Sequence, residues 1–573
     1  MKALIILSLA WSPLLAQSYK KLVAAADKFY ASKQYEAAIS YYESALNKVN
    51  ADAEVNFKTA KCYSALNNHA KAIGYYNTAV YFKPENAYYI NNRGMCYCKL
   101  ADSAKAIADY KKAIELNEKD FAPYFNLAKI YRKQNNLEAS IELFTKSATL
   151  EPNDEDVFLE RSLSYKQQNN LEASVVDLNT ILLMNPNNVN ALYYRANYYL
   201  ENRQLSDALR DIDYAIILSP ADPDLYSLKA TILYERKDIA SAIDFFKRTI
   251  VLDSDYLDAY YNLAEICLER NEFDDALNYA NEAITAQPNN SDSYGQRGRI
   301  YYESGNISSA LGDYNKSLEL NHNNSIVYYN RALLYDMENK YALAILDYTK
   351  YLDLVPTDID AINSRGYCYA SIKKFESASK DFLKAIEIDS KSAEAYCGLG
   401  ICYGNQKKHN DALANFDHAL SIDSTNENFY YNKALCLDDV KKYTEAIVIY
   451  NKAIQLNPKK ANFYYNRSNS YASLGDYETA IEGYKKTIHL DPDYTDAYFN
   501  LADAYNTLDY FELAINTYNV YLDKIETDAD ALNNLGYCYF NTNNKPKACD
   551  CWKQAIGLDN EDAMIDYKRY CNK

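Results

Sequence analysis

Cysteine and histidine are the residues of this chain that could form disulfides or bind metal ions, and their spacing decides whether they can do so. The sequence has 573 residues, with 12 Cys and 5 His. Six cysteines recur at multiples of 34 residues, namely Cys62, Cys96, Cys368, Cys402, Cys436 and Cys538. A fixed period gives each of these thiols the same place in a repeated unit, where a buried cysteine acts as a small apolar residue.

The same spacing argues against disulfides and metal sites. Cys368, Cys402 and Cys436 lie one period apart, which places their helices about 8–10 Å apart, whereas a disulfide needs Cα atoms within about 7 Å. We therefore expect few or no disulfides. The histidines are scattered and no Cys/His group has zinc spacing, so we expect no metal ion and no cofactor. The histidines are His69, His322, His409, His418 and His489.

Motifs of the common enzyme classes are missing as well. The sequence contains no Gly-rich phosphate loop, no nucleophile elbow and no His-Glu-x-x-His motif. Its many carboxylates recur on the same helical faces, where solvation is the default. We therefore expect that the chain is not an enzyme.

The elements that must position these residues are paired helices. In Phe121–Asp154, aromatic and small residues follow spacings of three, four and seven, which is typical of two amphipathic helices joined by a short polar turn. This 34-residue unit recurs without insertion from Tyr19 to Asp562, giving sixteen repeats, and its eighth position is Ala, Gly or Ser in every copy. We number the repeats 1–16 and the positions within each repeat 1–34.

This pattern resembles the tetratricopeptide repeat (TPR) family. The resemblance implies an all-α fold of antiparallel helix pairs stacked into a right-handed solenoid of about two superhelical turns. It also implies that the first helix of each pair lines the concave groove, with positions 2, 5, 6, 9, 12 and 13 facing it. Residues 19–562 would form one continuous solenoid.

The two ends of the sequence suggest an exported, capped solenoid. Residues 1–18 have Lys2, then an apolar run, then Gln17, which is typical of a secretory signal peptide cleaved near Ala16. The run is shorter than the about 20 residues of a membrane span. We therefore expect export to the periplasm, the cell envelope or the medium, with a cytoplasmic protein as the alternative. Residues 563–573 predict a capping helix in which Ile565 and Tyr570 cover the end of the stack.

Charge is distributed unevenly along the chain. The net charge of −17 argues against a general nucleic-acid binder. Residues 19–154 hold 19 Lys/Arg and 15 Asp/Glu, a net of +4, whereas residues 155–573 hold 41 and 63, a net of −22.

One charge correlation predicts a contact. Position 23 is Asp in six repeats, and position 7 is Arg in each of those repeats. We predict a bidentate bridge within each repeat, which would fix packing and register. The predicted pairs are Arg93–Asp109, Arg161–Asp177, Arg195–Asp211, Arg297–Asp313, Arg331–Asp347 and Arg365–Asp381.

The groove is the candidate binding site, with two charged patches and one amide ladder. The basic patch comprises Lys58, Lys61, Lys99, Lys129, Arg132, Lys133 and Lys166. The acidic ladder comprises Glu201, Glu235, Glu269 and Glu303. Ordinary solvated helix surface is the alternative interpretation of either patch. Together they predict an electrically polarised groove that would orient a partner.

Asparagine recurs at groove position 6. It occupies four successive repeats as Asn432, Asn466, Asn500 and Asn534, and four earlier ones as Asn92, Asn126, Asn262 and Asn330. Tyr431, Tyr465 and Phe499 stand just before three of the four. A side-chain amide carries both a donor and an acceptor, so the ladder is similar to the asparagine ladder in the TPR superhelix of O-linked N-acetylglucosamine transferase. The alternative is that this asparagine is simply common in TPR sequences.

A non-catalytic scaffold is therefore our interpretation of the sequence. It would bind extended segments of one or more proteins in its groove and organise an exported or cell-envelope assembly. The alternatives are an accessory subunit presenting substrates to a separately encoded enzyme, and a cytosolic adaptor if the N-terminus is not cleaved. We expect no nucleic acid and no transmembrane segment, and self-association stays open. Position 5 is never Lys, so the carboxylate clamp of chaperone-binding TPR domains is absent.

Overall fold

Helices make up nearly all of the structure, a computed structural model that describes residues 13–525 and 527–571. These residues form 33 helices and contain no strand. They divide into two compact units, residues up to Ile266 and residues from Cys267, and the division falls inside α15.

Each repeat of the first unit is a pair of helices. The helices are α1 (Pro13–Ala31), α2 (Tyr35–Leu46), α3 (Ala53–Ala65), α4 (His69–Phe82), α5 (Ala87–Lys99), α6 (Ser103–Leu116), α7 (Phe121–Lys133), α8 (Leu137–Leu150), α9 (Glu155–Gln167), α10 (Leu171–Met184), α11 (Val189–Glu201), α12 (Leu205–Leu218), α13 (Pro223–Glu235), α14 (Ile239–Leu252) and α15 (Leu257–Glu269).

The second unit continues the alternation and ends with one additional helix. Its helices are α16 (Phe273–Ala286), α17 (Ser291–Glu303), α18 (Ile307–Leu320), α19 (Ser325–Met337), α20 (Tyr341–Leu354), α21 (Ile359–Ser371), α22 (Phe375–Ile388), α23 (Ala393–Asn405), α24 (His409–Ile422), α25 (Glu427–Asp439), α26 (Tyr443–Leu456), α27 (Ala461–Ser473), α28 (Tyr477–Leu490), α29 (Thr495–Thr507), α30 (Phe511–Lys524), α31 (Ala529–Asn541), α32 (Lys545–Ile556) and α33 (Glu561–Tyr570).

Local sequence sets where the helices begin. Most first helices are preceded by Asp or Asn, whose side chain accepts backbone N–H groups of the first turn. Asp52, for example, accepts from Glu54 at 2.9 Å and from Val55 at 3.1 Å. These bonds satisfy donors that a helix N-terminus otherwise leaves open.

Small residues at position 8 let the two helices of a repeat approach closely. A Cβ atom on Gly94 would lie 2.8 Å from the Tyr110 ring, and one on Gly366 would lie 2.8 Å from the Phe382 ring. These distances are shorter than a van der Waals contact, so the aromatic ring at position 24 occupies the space that a larger residue would need. The period of small residues in the sequence thus reflects the helix–helix contact of each pair.

The first helices line one side of each unit. In the first unit α7 contacts both α5 and α9, and in the second unit α25 contacts both α23 and α27. The second helices make no comparable contacts with one another among the described residues. The chain therefore bends toward the side of the first helices in each unit, as the TPR resemblance implies.

Part of the predicted signal peptide, residues 1–12, lies outside the described residues. The described chain begins with α1 at Pro13, so this helix runs through the predicted cleavage point at Ala16. Among the described residues, no helix is both long and apolar enough to cross a membrane.

The capping helix α33 packs through residues other than those expected. Ile565 is 61% exposed, so the prediction that it covers the stack is wrong. Ala563, Tyr567 and Tyr570 pack against the end of repeat 16 instead, with Tyr570 4.3 Å from the ring of Phe540. Spacings of four and three residues place this trio on one helical face, which Ile565 does not share.

A disulfide joins the cap to the last repeat. Cys549 of α32 and Cys571 are bonded, with Cα atoms 5.8 Å apart. The other ten cysteines are free, and the six at position 10 are all buried, as expected. The expectation of few or no disulfides rested on the 34-residue period, and Cys571 lies outside the periodic sequence.

Candidate protein-binding groove

The six predicted Arg–Asp bridges are all present. In each repeat the arginine Nε and Nη2 donate to the two carboxylate oxygens of the aspartate at 2.6–2.9 Å. The arginine Nη1 donates to an amide or hydroxyl oxygen of the preceding repeat, such as Asn77 for Arg93 and Thr145 for Arg161. Each bridge therefore ties two helices of one repeat and also joins two repeats, so these charges belong to the packing.

Most of the basic patch is neutralised within the chain. Lys58 Nζ lies 2.9 Å from Asp27, and Lys166 Nζ lies 3.1 Å from Glu201. Lys129 and Arg132 both pair with Glu160, Lys129 at 2.8 Å. Sequence analysis did not single out Glu160, although an acid at position 6 following basic residues at positions 9 and 12 of the preceding repeat was a usable signal.

The remaining basic residues of the patch differ in their surroundings. Lys61 Nζ lies 3.5 Å from the hydroxyl of Tyr88 and 5.9 Å from the ring centroid of Phe57. Lys99 and Lys133 are exposed and form no ion pair with any described residue. They are the two cations of the patch that stay available to a partner.

The acidic ladder is partly paired as well. In the first unit Glu201 contacts Lys166, and Glu235 lies 3.4 Å from Arg203. In the second unit Glu269 is exposed, and Glu303 lies 3.8 Å from Arg299. These ion pairs weaken the predicted polarisation of the groove at these positions.

The asparagine ladder is joined from repeat to repeat by its amide nitrogens. Asn466 Nδ2 donates to the hydroxyl of Tyr431 at 2.9 Å, and Asn500 Nδ2 donates to the hydroxyl of Tyr465 at 3.0 Å. Asn432 Nδ2 lies 3.6 Å from Cys397 Sγ. Asn534 Nδ2 donates to Asp503 at 3.2 Å. In an earlier repeat, Asn126 Nδ2 donates to Asn91 at 3.2 Å.

The aromatic residues beside the ladder pack into the repeats and are half-buried. The ring of Tyr431 lies 4.9 Å from Phe463, that of Tyr465 lies 4.8 Å from Tyr494, and that of Phe499 lies 5.4 Å from Tyr521. Tyr431 thus packs against the next repeat, whereas Tyr465 and Phe499 pack within their own repeats. All three position the ladder more than they present a free surface.

A second set of polar residues, missed from the sequence, lies beside the ladder. Asp438 accepts hydrogen bonds from the hydroxyls of Tyr450 and Ser470, each at 2.8 Å, and Asp503 accepts one from Tyr518 at 2.9 Å. Burial raises the pKa of the Asp438 carboxyl, and the two hydroxyl donors act in the opposite direction. The tyrosines stand at position 24, so they reach through the repeat from the second helix.

The outer side carries open clefts and an apolar ridge. A cavity of about 930 Å³ between α2 and α4 is lined by Glu43, Tyr75 and Tyr81, and one of about 610 Å³ between α10 and α12 is lined by Leu183 and Tyr214. Leu183, Ile217 and Val251 occupy position 29 of three successive repeats and are 85%, 74% and 72% exposed. Sequence analysis did not identify this ridge.

Six family models described as TPR or tetratricopeptide repeat match the chain. They match residues 29–91, 87–120, 109–142, 178–210, 195–256, 233–296, 298–337, 366–407, 393–426, 428–460, 449–482, 468–509 and 529–562. The chain belongs to the TPR family. TPR proteins bind protein partners, and this TPR chain is accordingly a protein–protein interaction scaffold.

Solved structures similar to this TPR chain are distant. The Cut9–Hcn1 hetero-tetramer of the APC/C matches at 17% identity over 87% of this chain and 97% of that one, with a TM-score of 0.43. Yeast Tom70 matches at 18% identity over 81% and 97%, with a TM-score of 0.35. A TPR protein of Parabacteroides merdae matches at 21% identity over 43% and 97%, with a TM-score of 0.38. None of the curated proteins matches. At these values the likeness carries no information about partners.

Proposed function

We propose that this TPR chain is an exported, non-catalytic scaffold that holds extended segments of other proteins on its inner surface and organises an assembly at the cell envelope. The observation that carries the proposal is the ladder of Asn466, Asn500 and Asn534. Their amide nitrogens are engaged within the chain. Their Oδ1 atoms accept no hydrogen bond from the described residues and can accept from the backbone N–H groups of an extended segment.

The chemistry of the thiols supports a scaffold rather than an enzyme. Burial raises the pKa of Cys538 to about 12 and that of Cys551 to about 11. The thiolate is the reactive form of cysteine, so these groups stay protonated and unreactive near neutral pH. Among the described residues, no group of three or more His, Cys, Asp or Glu side chains is arranged to hold a metal ion.

Two observations support export. The first is the apolar N-terminal run of residues 1–18, and the second is the disulfide between Cys549 and Cys571. Disulfides persist in oxidising compartments and are rare in the cytosol. Mass spectrometry of the natural protein tests this directly. We expect a mature N-terminus near Gln17 in the exported fraction, and an intact Met1 in the cytosol would contradict it.

The groove function is tested by comparing two matched variants. Asn432→Ala/Asn466→Ala/Asn500→Ala removes ladder amides, whereas Asn278→Ala/Asn410→Ala/Asn516→Ala removes exposed amides on second helices. Each chain is cross-linked to its partners in the exported fraction, and the contact segments are identified by mass spectrometry.

The wild type and the outer-face variant should capture the same segments, cross-linked to first helices, and the ladder variant should lose them. The ladder amides also join repeats, so the melting temperature of each variant is measured alongside. Capture that is equal in the two variants would rule out the ladder as the binding site.

A further inference from the structure

The first helices of repeats 10–16, from α19 to α31, carry carboxylates but no Lys or Arg at the groove positions. We propose that this stretch, the acceptor surface, binds an extended Lys/Arg-rich segment of a partner protein. The inference rests on the proposed groove function and adds the chemical class of the partner.

Charge is the first argument. Positions 2, 5, 6, 9, 12 and 13 of these seven repeats carry eight carboxylates and no Lys or Arg. The carboxylates are Asp336, Asp360, Glu394, Asp438, Asp439, Asp496, Asp503 and Asp530. Six of the seven repeats, all except repeat 14, therefore carry at least one carboxylate there, and the stretch would repel nucleic acid and acidic peptides.

None of the eight carboxylates is neutralised by the chain itself. Within the described residues they form no ion pair, which contrasts with the basic patch, where Lys58 and Lys166 are paired. Asp360, Glu394 and Asp496 are exposed. Uncompensated charges that face one groove at repeated spacing raise the local concentration of cations there.

Hydrogen-bond polarity is a second and independent argument. Asn466 Nδ2 also donates to the backbone oxygen of Asn462 at 3.0 Å, and Asn534 Nδ2 donates to the Asp503 carboxylate. Both of these partners can only accept, which fixes the orientation of the two amides. Their Oδ1 atoms are then the free ends of the ladder.

The hydroxyl donors beside the ladder are also turned inward. Tyr450 donates to Asp438, Tyr518 donates to Asp503, and Tyr484 donates to Asn469 at 2.7 Å. These three hydroxyls are therefore engaged inside the repeats, and the ladder beside them presents carboxylate and amide oxygens. Such acceptors favour hydrogen-bond donors, namely ammonium, guanidinium and backbone N–H groups.

The spacing favours an extended segment over a compact one. Neighbouring helices lie about 8–10 Å apart, and an extended chain advances about 3.3 Å per residue. A basic side chain at about every third residue would therefore meet each repeat once. A segment of about 18 residues spans the seven repeats.

The first experiment measures binding of defined peptides to the full chain. The probe is a fluorescent 18-residue peptide of six Lys-Ser-Gly units, and the controls carry Gln or Glu in place of Lys. At low salt the Lys peptide should bind at least about tenfold more tightly than the Gln peptide, and the difference should shrink in about 0.5 M salt because of screening. Equal binding of the Lys and Gln peptides would overturn the inference.

The second experiment separates the acceptor surface from the overall negative charge. Asp360→Asn/Glu394→Gln/Asp496→Asn neutralises three first-turn carboxylates on first helices. The matched control, Glu376→Gln/Glu478→Gln/Glu512→Gln, neutralises three first-turn carboxylates on second helices. Both variants change net charge by the same amount and lose the same interaction with the helix dipole.

The groove variant should bind the Lys peptide at least about fivefold more weakly, and the control should stay within about twofold of the wild type. Equal loss in both variants would show that only net charge attracts the peptide and would overturn the inference. A partner cross-linked to first helices through a segment without basic residues would overturn the inference too, yet leave the groove function standing. Failure to capture any segment on first helices would instead defeat the groove function.

Discussion

Buried charge in this chain is organised around one guanidinium geometry. Each of six arginines at position 7 engages both oxygens of an aspartate and one oxygen of the preceding repeat, as Arg161 does with Asp177 and Thr145. The Arg161–Asp177 pair is the most enclosed, with side chains 15% and 3% exposed. A pair taken out of water gains little net stability, but breaking it leaves one charge unpaired.

Removing half of this pair should therefore cost more than replacing all of it. Asp177→Asn should lower the free energy of unfolding by about 3 kcal/mol. Arg161→Leu/Asp177→Leu should lower it by about 1 kcal/mol or less, because two leucines fill the space, as Leu127 and Leu143 do in repeat 4. Urea denaturation followed by circular dichroism measures both. A double variant as unstable as the single one would contradict this view of the pair.

A seventh arginine lacks its carboxylate. Arg467 Nη1 donates to Asn451 at 2.6 Å, but its buried Nε has no hydrogen-bond partner among the described residues. Gly483 stands where the six bridged repeats have Asp, and a Cβ atom there would lie 1.9 Å from Ser468 Oγ. The hydroxyl and an aspartate at 483 therefore compete for the same space.

Gly483→Asp combined with Ser468→Ala should complete this seventh bridge. We expect the free energy of unfolding to rise by about 1–2 kcal/mol, from a charged hydrogen bond and the loss of a mid-helix glycine. Gly483→Asp alone should be less stable than the double variant, because Ser468 blocks the carboxylate. Thermal unfolding of the two variants and of Ser468→Ala ranks them. A double variant below the wild type would show that Arg467 does not need the carboxylate.

At the scale of elements, one turn conformation recurs in every repeat. Position 15, just after each first helix, has φ near +60° in the non-glycine cases and near +80° in Gly305 and Gly475. Left-handed backbone costs most residues about 1–2 kcal/mol and costs glycine nothing. Asparagine tolerates it well, but Ala101, at φ 60°, has no compensating side chain.

A reciprocal exchange tests this turn. Ala101→Gly should raise the free energy of unfolding by about 0.5–1 kcal/mol. This is less than the cost of the left-handed backbone at Ala101, since glycine also stabilises the unfolded chain. Gly305→Ala should lower it by about 1 kcal/mol, and no atom within 4 Å of its Cβ position would add a clash. Chemical denaturation of both variants gives the two signs. Changes in the same direction would refute the backbone explanation.

At the scale of the whole chain, the features that recur with the period could be predicted from the sequence. The features that occur only once could not. Position 8 and the Arg–Asp pairs follow from a 34-residue period because each repeat meets its neighbours in the same way. The pairing of Lys129 with Glu160 occurs between two particular repeats, so its signal is the positions of these residues in successive repeats and not a recurring pattern. Ile565 was misplaced because the cap has no second copy against which to set its register.

The disulfide of the cap is the clearest non-periodic feature, and it predicts how the end of the stack behaves. Breaking the link between Cys549 and Cys571 should release α33 without unfolding the repeats, because each repeat is stabilised by its own neighbours. A crosslink over a loop of this length contributes about 3 kcal/mol. Cys571→Ser should therefore speed hydrogen exchange of α33 more than about a hundredfold, and leave α21–α28 unchanged.

Cys98→Ser, at the one exposed free thiol among the described cysteines, is the matched control for Cys571→Ser and should leave exchange in α33 as it is in the wild type. A reductant should reproduce the effect of Cys571→Ser in the wild-type chain and have none in the variant. The same bond also tests whether the natural protein comes from an oxidising compartment. A natural protein that carries the bond has two fewer reactive thiols after unfolding than its 12 cysteines. Exchange in α33 that ignores both the variant and the reductant would mean that Tyr567, Tyr570 and Trp552 hold the cap by packing alone.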